Sequence, residues 1–175
     1  VSTGGYTFVG ASTSAYTAFI YSPDLKVVFD MGSVVEEMLP IDHVLITHAH
    51  QDHLLGITRY VALRRLQRMA PPTIYMPEGI VDRVRDLIAL WQDLESEGTR
   101  PPPPVELVGV TGGEEAFLRG SLLVQTFPVS HSLTSVGYTL IDRKMKLKQE
   151  FFSKTGPELA ELKRLGTSIT QPLDQ

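Results

Sequence analysis

The first third of the chain alternates short runs of apolar and β-branched residues with Gly, Ser and Pro. This alternation predicts short strands separated by turns. The predicted strands are Tyr6 to Val9, Tyr16 to Tyr21, Lys26 to Phe29 and His43 to Ile46. Ser22-Pro23-Asp24 is typical of a hairpin turn, because Pro fixes φ and Asp bonds to nearby backbone. The opening of the chain therefore indicates a sheet.

Apolar residues then recur at helical spacing in two longer segments. One segment runs from Leu54 to Leu66, and the other runs from Val81 to Leu94. Between them, Thr73 to Met76 is predicted to be a buried strand. We interpret Pro101 to Pro104 as a stiff polyproline spacer rather than a recognition motif.

The second half of the chain is predicted to add strands and one helix. These elements are the strands Val105 to Val110, Glu115 to Leu118, Ser121 to Phe127 and Val136 to Ile141, and a helix from Pro157 to Leu165 that Gly166 ends. Strands in runs with helices between them predict a layered α/β domain with mixed sheets. At 175 residues, we expect a single domain over 1–175.

The composition excludes several kinds of chemistry and leaves the location of the protein less constrained. The chain has no cysteine, so disulfides, thiolate metal sites and a cysteine nucleophile are excluded. No apolar run is long enough for a membrane span, and the first residues lack the pattern of a signal peptide. We expect a cytoplasmic protein with no membrane partner. Because the chain begins at Val1, organellar location after removal of a transit peptide stays open.

A dense group of metal-binding residue types follows the strand that ends at Ile46. Three His and one Asp lie within six residues, in the segment Thr47-His48-Ala49-His50-Gln51-Asp52-His53. Residues two apart on an extended chain point the same way, so His48 and His50 can bind one ion. Asp52 and His53 project differently and can bind a second ion. This donor set suits zinc, manganese or iron in an open catalytic site, and the alternative is a solvated histidine-rich loop.

The same segment resembles the HxHxDH signature of the metallo-β-lactamase superfamily. Val27 to Gly32 resembles the family's earlier strand, which ends in an Asp-Gly turn, and the resemblance implies that Asp30 supports the metal-binding loop from behind the ligands. From the residues alone, Asp30 could equally be a turn former after the strand. His131 resembles the next histidine ligand, which completes the first metal site with His48 and His50. The implied fold is an αββα sandwich, of which this chain covers mainly the N-terminal half.

A narrower resemblance begins at His131. The stretch from His131 to Tyr138 is similar to the His, then Ser-x-Gly-Tyr pattern of tRNase Z, a family of endonucleases that trim the 3′ trailer from precursor tRNA. The resemblance implies a hydrolase with two zinc ions, or manganese or iron in their place, and precursor tRNA as substrate. It also implies that Asp52 binds the second ion and accepts the proton of the attacking water.

The chain also departs from the tRNase Z pattern. Gly32-Ser33-Val34-Val35 stands where that family usually has Gly-Glu-Gly-Thr. The family's bridging Asp and final His ligand are expected after His131, where no second histidine follows and neither Asp142 nor Asp174 is suitably placed. We therefore expect the chain to lack the C-terminal part of the domain and to leave its metal site empty or partly filled.

Three functions remain open from the sequence. A tRNase Z-like phosphodiesterase is favoured over another hydrolase of the superfamily, acting on an ester, lactone or sulfate, and over a catalytically silent chain. Two basic clusters could contact tRNA phosphates, or could be a solvated helix face and a charged hairpin. They are Arg59, Arg64, Arg65 and Arg68, and Arg143, Lys144, Lys146 and Lys148. A homodimer is also expected, because unpaired edge strands invite association.

Overall fold

The computed structural model describes residues 1–173, so Asp174 lies outside the described residues. The chain divides into two compact units. The first holds Val1–Glu115 and Gln125–Thr139, and the second holds Ala116–Val124 and the chain from Leu140 onward. That all of 1–175 forms a single domain stays a prediction.

Runs of strands with helices between them make up the described residues. The strands are β1 (Ser2–Thr3), β2 (Tyr6–Thr7), β3 (Val9–Thr13), β4 (Thr17–Ser22), β5 (Val27–Phe29), β6 (His43–Leu45), β7 (Thr73–Pro77), β8 (Glu106–Val110), β9 (Glu115–Arg119), β10 (Leu122–Val129), β11 (Ser135–Asp142), β12 (Met145–Leu147) and β13 (Thr170–Pro172). The helices are α1 (Gln51–Leu54), α2 (Ile57–Leu66), α3 (Val81–Ser96) and α4 (Gly156–Arg164), and three short 3₁₀ turns lie at Glu36–Met38, Glu78–Ile80 and Gln149–Phe151.

The main sheet has six strands in the order β3-β4-β5-β6-β7-β8. The pairs β3–β4 and β4–β5 are antiparallel. The pairs β5–β6, β6–β7 and β7–β8 are parallel. The central strands β5 and β6 are almost wholly apolar because a parallel sheet is covered on both faces. Val28, Val44 and Ile74 on three neighbouring strands are fully buried in the core.

The remaining strands form smaller sheets. Strands β9, β10 and β11 form a three-stranded sheet in the order β11-β10-β9, and β12 pairs antiparallel with β13. Mixed sheets with intervening helices confirm the predicted α/β class. Over residues 1–173, no helix is long and apolar enough to cross a membrane.

Most predicted elements lie within a few residues of the observed ones, and the differences are local. The segment predicted as one strand from Tyr6 to Val9 divides into β2 and the start of β3. The helix predicted from Leu54 onward begins earlier, as the single turn α1, and resumes as α2 at Ile57. The short strands β12 and β13 lacked a sequence signal because neither is a run of apolar or β-branched residues.

Arg64 does not lie at the surface, so both interpretations of the basic cluster on α2 are wrong for this residue. Arg64 is only 4% exposed, and its guanidinium donates to the carbonyl oxygens of Leu39, Ile41 and Ala70 at 2.6–2.9 Å. Since Arg64 lies on the core face of α2, it supports the fold and cannot contact a phosphate. Arg59 and Arg68 lie toward solvent instead.

Candidate metal centre

The centre is built at the carboxyl ends of two adjacent parallel strands. Strands β5 and β6 pair with Phe29 opposite Leu45, so Asp30 and Thr47 follow neighbouring strands at the same sheet edge. The amide of Asp30 donates to the carbonyl of Leu45 at 3.0 Å, which continues this pairing beyond β5. The chain therefore leaves the sheet with the Asp30 carboxylate beside the first residues of the histidine segment.

Asp30 is a nearly buried carboxylate that accepts hydrogen bonds from two sides. Its Oδ1 accepts from the amide of Thr47 at 2.8 Å, and both carboxylate oxygens lie 3.0 Å from Thr47 Oγ1. On the other side, Oδ2 lies 2.7 Å from Nδ1 of His53. Asp30 has a positive φ of 55°, which Asp tolerates better than most residues. Asp30 thus fixes both ends of the histidine segment.

Three imidazoles meet at one point. Nε2 of His48 lies 3.0 Å from Nδ1 of His50, and Nε2 of His131 lies 3.3 Å from the same nitrogen. The three donor atoms all lie within 4.8 Å of one another. Four-coordinate zinc with Zn–N bonds of about 2.0–2.1 Å places two ligand nitrogens roughly 3.3 Å apart. The spacing therefore fits a single divalent ion held by these residues.

His48 is held in the form that a metal requires. Burial lowers the pKa of His48 below its usual value of 6.5, and the neighbouring His53 lowers it further. A neutral imidazole keeps the lone pair that binds an ion. Nδ1 of His48 lies 2.8 Å from Thr47 Oγ1. When this nitrogen donates to Thr47 and Thr47 donates to Asp30, Nε2 of His48 faces the cluster as an acceptor.

Asp52 and His53 lie beside the three histidines on the single helical turn α1. Nε2 of His53 is 3.6 Å from Oδ2 of Asp52, and the rings of His48 and His53 have centroids 4.1 Å apart. The Asp52 carboxylate also accepts from the amide of Ala15 at 3.2 Å, on the turn between β3 and β4. Because Nδ1 of His53 is hydrogen-bonded to Asp30, its Nε2 keeps a free lone pair on the side of Asp52, where it could bind an ion.

A glycine sets the distance between the Asp30 turn and α1. A Cβ added to Gly32 would lie 1.8 Å from the carbonyl oxygen of Asp52, so only glycine fits. On either side of this contact, the amide of Met31 donates to the carbonyl of His53 at 2.6 Å, and the amide of Gly56 donates to the carbonyl of Met31 at 2.8 Å. The two segments therefore lock together through their backbones.

Strand β11 connects His131 to the rest of the centre. The amide of Val136 donates to the carbonyl of Thr47 at 3.0 Å, and the hydroxyl of Tyr138 donates to the carbonyl of Ile46 at 2.8 Å. Burial raises the pKa of Tyr138, so the hydroxyl keeps its proton and stays a donor. Gly137 lies between them, and a Cβ there would lie 2.2 Å from the ring of Phe127, which would have to move.

The structure thus brings all six residues singled out in the sequence to one place. His48, His50 and His131 form the cluster, Asp52 and His53 lie next to it, and Asp30 lies behind His53. Their roles as ligands, and the catalytic role of Asp52, stay predictions. Sequence reasoning gave no role to Thr47, whose position between Asp30 and His48 depends on the pairing of β5 with β6. His43 lies at the start of β6 and is not part of the cluster.

Comparisons with known proteins identify the family of this chain. Residues 20–147 match the family described as the beta-lactamase superfamily domain. "Nuclear ribonuclease Z" of Triticum aestivum is 34% identical over 167 residues, which are 95% of this chain and 92% of that protein. "tRNase Z TRZ1" of Arabidopsis thaliana is 35% identical over 169 residues, 97% of this chain and 59% of that protein. This chain therefore spans little more than half of the Arabidopsis relative.

A solved structure gives the same fold. The metallo-beta-lactamase fold protein YhfI from Bacillus subtilis superposes with a TM-score of 0.54 at 14% identity, over 75% of this chain and 53% of that one. At this identity the likeness concerns the fold alone, and it confirms the expected metallo-β-lactamase fold. The chain belongs to the β-lactamase superfamily and, within it, to the ribonuclease Z family.

Proposed function

We propose that this chain carries the metal centre of a tRNase Z-like endoribonuclease that hydrolyses a phosphodiester bond in precursor tRNA. The observation that carries the proposal is the convergence of His48 Nε2, His50 Nδ1 and His131 Nε2, at 3.0 and 3.3 Å. Three imidazoles without a thiolate suit an open, catalytic zinc site rather than a closed structural one. The kinship with ribonuclease Z proteins supports RNA as the substrate class.

His48, His50 and His131 would hold the first ion in this proposal, and Asp52 with His53 would contribute to a second. Zinc is the proposed metal, with manganese or iron as alternatives for the same donors. Bound divalent ions supply Lewis acidity and lower the pKa of water toward neutrality. Asp30 keeps the proton of His53 on Nδ1, because its carboxylate lies 2.7 Å from that nitrogen.

Asp52 is the proposed general base. Its Oδ2 lies 3.6 Å from His53 Nε2 and accepts one hydrogen bond from the amide of Ala15. A carboxylate has further lone pairs, so Asp52 can accept the proton of an attacking water while it stays positioned by the Ala15 amide. Backbone bonds from α1 to the Asp30 turn hold Asp52 in place without occupying its carboxylate.

Metal analysis and cleavage assays test the proposal together. The full-length protein that contains this chain is purified, measured for bound zinc, manganese and iron, and then assayed on a precursor tRNA and on small ester, lactone and sulfate substrates. We expect His131→Ala to lose metal and cleavage, whereas His43→Ala keeps both, because His43 lies outside the cluster. Turnover of a small ester but not of RNA would contradict the substrate, and unchanged metal content in His131→Ala would contradict the site.

Two further expectations belong to the same proposal. We propose a cytoplasmic or organellar location, which a fluorescent fusion of the full-length protein would report. We also propose that the chain associates with itself. The mass of the purified chain in solution, compared with 19.4 kDa for one copy, tests that association.

A further inference from the structure

The turn between β3 and β4 contacts the proposed general base through its backbone. Residues 14–16 separate the two paired strands, and the amide of Tyr16 donates to the carbonyl of Thr13 at 2.9 Å. Inside this turn, the amide of Ala15 donates to Oδ2 of Asp52 at 3.2 Å. Ala15 is itself exposed, so the main chain and not the side chain makes this contact. The position of the amide therefore depends on what holds the turn.

The first residues of β4 are hydrogen-bonded to the segment that follows Asp30. The amide of Gly32 donates to the carbonyl of Ala18 at 3.0 Å, and the hydroxyl of Thr17 donates to that of Ser33 at 2.8 Å. Thr17 and Ser33 are both partly buried, which limits the competition of water for their hydrogen bond. The turn is thus anchored, directly after its last residue, by one backbone bond and one pair of hydroxyls.

The same segment also holds the helical turn that carries Asp52. The amide of Met31 donates to the carbonyl of His53 at 2.6 Å, which joins α1 to the Asp30 turn. Three segments meet at Gly32, where an added Cβ would lie 1.8 Å from the carbonyl oxygen of Asp52 and 2.8 Å from an amide nitrogen of β4. The β3–β4 turn, the Asp30 turn and α1 therefore form a closed ring of contacts that includes the Asp52 carboxylate.

We infer that Thr17 and Ser33 are positioning residues for Asp52, on which they act through the β3–β4 turn and the Ala15 amide. The inference rests on the proposed function, in which Asp52 accepts the proton of an attacking water. An aspartate carboxylate rotates about its side-chain bonds unless a donor holds it, and a general base must lie within hydrogen-bond reach of the proton that it takes. Without the hydroxyl pair, the turn can move and the carboxylate loses its fixed donor.

Hydrogen exchange of the Ala15 amide tests the positioning directly. The full-length protein that contains this chain is prepared with isotope-labelled alanine, and exchange is followed by NMR in wild type, Thr17→Val, Thr17→Ser and Thr73→Val. We expect the hydrogen bond to Asp52 to protect the amide in wild type. Exchange should be about tenfold faster in Thr17→Val and should return toward wild type in Thr17→Ser, which keeps the hydroxyl. Thr73→Val is the matched control, because it removes a hydroxyl bond of 2.8 Å to Glu106 at the other end of the parallel strands.

Turnover separates a positioning role from a merely structural one. The same variants and Ser33→Ala are assayed on precursor tRNA with zinc in excess, so that metal loading is equal. We expect Thr17→Val and Ser33→Ala to lower kcat by about tenfold or more and to leave KM unchanged, because a misplaced general base slows the chemical step without weakening substrate binding. Thr17→Ser should recover kcat, and the control Thr73→Val should keep both constants.

The backbone conformation of Ala15 offers a further pair of variants. Ala15 has a φ of 64°, a left-handed conformation that suits glycine and disfavours a β-branched residue. Ala15→Val should therefore displace the amide and lower kcat as Thr17→Val does, whereas Ala15→Gly should lower it less. Because the side chain of Ala15 is exposed, a loss in Ala15→Val cannot come from packing in the core.

The two measurements distinguish failure of the inference from failure of the proposed function. Equal exchange of the Ala15 amide in wild type and Thr17→Val overturns the inference, because the hydroxyl pair then does not hold the turn against Asp52. Faster exchange with an unchanged kcat also overturns it, because the turn then moves without affecting the base. A wild type that cleaves no precursor tRNA contradicts the proposed function, and exchange of the amide still decides whether Thr17 holds Asp52.

Discussion

Nδ1 of His53 and Oδ2 of Asp30 lie 2.7 Å apart, although the two residues follow different strands. The contact joins the turn after β5 to the helical turn α1 that begins three residues after His48. A carboxylate in this position selects the tautomer in which Nε2 of His53 is free to act as an acceptor or, as proposed, as a metal ligand. The order of the site therefore depends on a residue that does not itself face the cluster.

Asp30→Asn should weaken metal binding while leaving the proposed ligands in place. The amide keeps the shape of the side chain but removes the charge that orients His53, and loss of such a partner typically reduces metal affinity by about 10- to 100-fold. Competition with a chromophoric chelator measures the affinity. Asp93→Asn, on the exposed face of α3, is the matched control and should bind metal as wild type does.

Thr47→Val should also weaken metal binding, by about tenfold, because it removes the hydroxyl between Asp30 and His48. Thr47→Ser keeps the hydroxyl and should restore the affinity. Nitrogen chemical shifts of the His48 ring provide a second measurement, since they distinguish protonation at Nδ1 from protonation at Nε2. Equal affinities and equal shifts in the Val and Ser variants would show that Thr47 does not orient His48.

Gly32→Ala should destabilise the fold by about 3 kcal/mol or more, because the new methyl group overlaps the backbone of Asp52 and neither segment can move without losing hydrogen bonds. Urea denaturation measures the free energy of unfolding. Gly79→Ala is the control: no atom lies within 4 Å of a Cβ at that position. Its free energy of unfolding should stay within about 0.5 kcal/mol of wild type.

Arg64→Met should cost roughly 3 kcal/mol of stability, because it leaves the carbonyls of Leu39, Ile41 and Ala70 without their charged donor. Arg68→Met removes an equal charge from the surface and should change the free energy of unfolding little. Chemical denaturation of both variants decides between a structural Arg64 and an exposed one. Equal stability of the two variants would contradict the buried role.

Local patterns predicted the sheet and most of the centre. The strands that end at Phe29 and Leu45 are short apolar runs, and the residues after them carry the His and Asp of the site. His131 was found only through resemblance, because a lone histidine 81 residues from His50 carries no spacing signal. Thr47 was missed for a related reason, since its contact with Asp30 arises from the register between two strands.

For the basic residues of α2, the sequence predicted a shared surface that the structure does not have. Arg64 and Arg65 are adjacent in sequence, yet Arg64 faces the core and Arg65 donates to Oε1 of Gln92 on α3 at 3.3 Å. Charge alone suggested a common surface, whereas helical geometry separates the two side chains by about 100° around the axis. Burial of a guanidinium depends on carbonyls from Leu39 and Ile41, which no pattern within α2 can reveal.

His131 reaches the cluster from the turn between β10 and β11, and an ion shared with His48 and His50 would close a loop of about eighty residues. An ion bound there acts as a removable cross-link between early and late parts of the chain. The unfolded chain lacks the preassembled site, so under this proposal each increase in free metal above its dissociation constant would raise the melting temperature. Metal supply in the cell would then determine the lifetime of this protein as well as its activity.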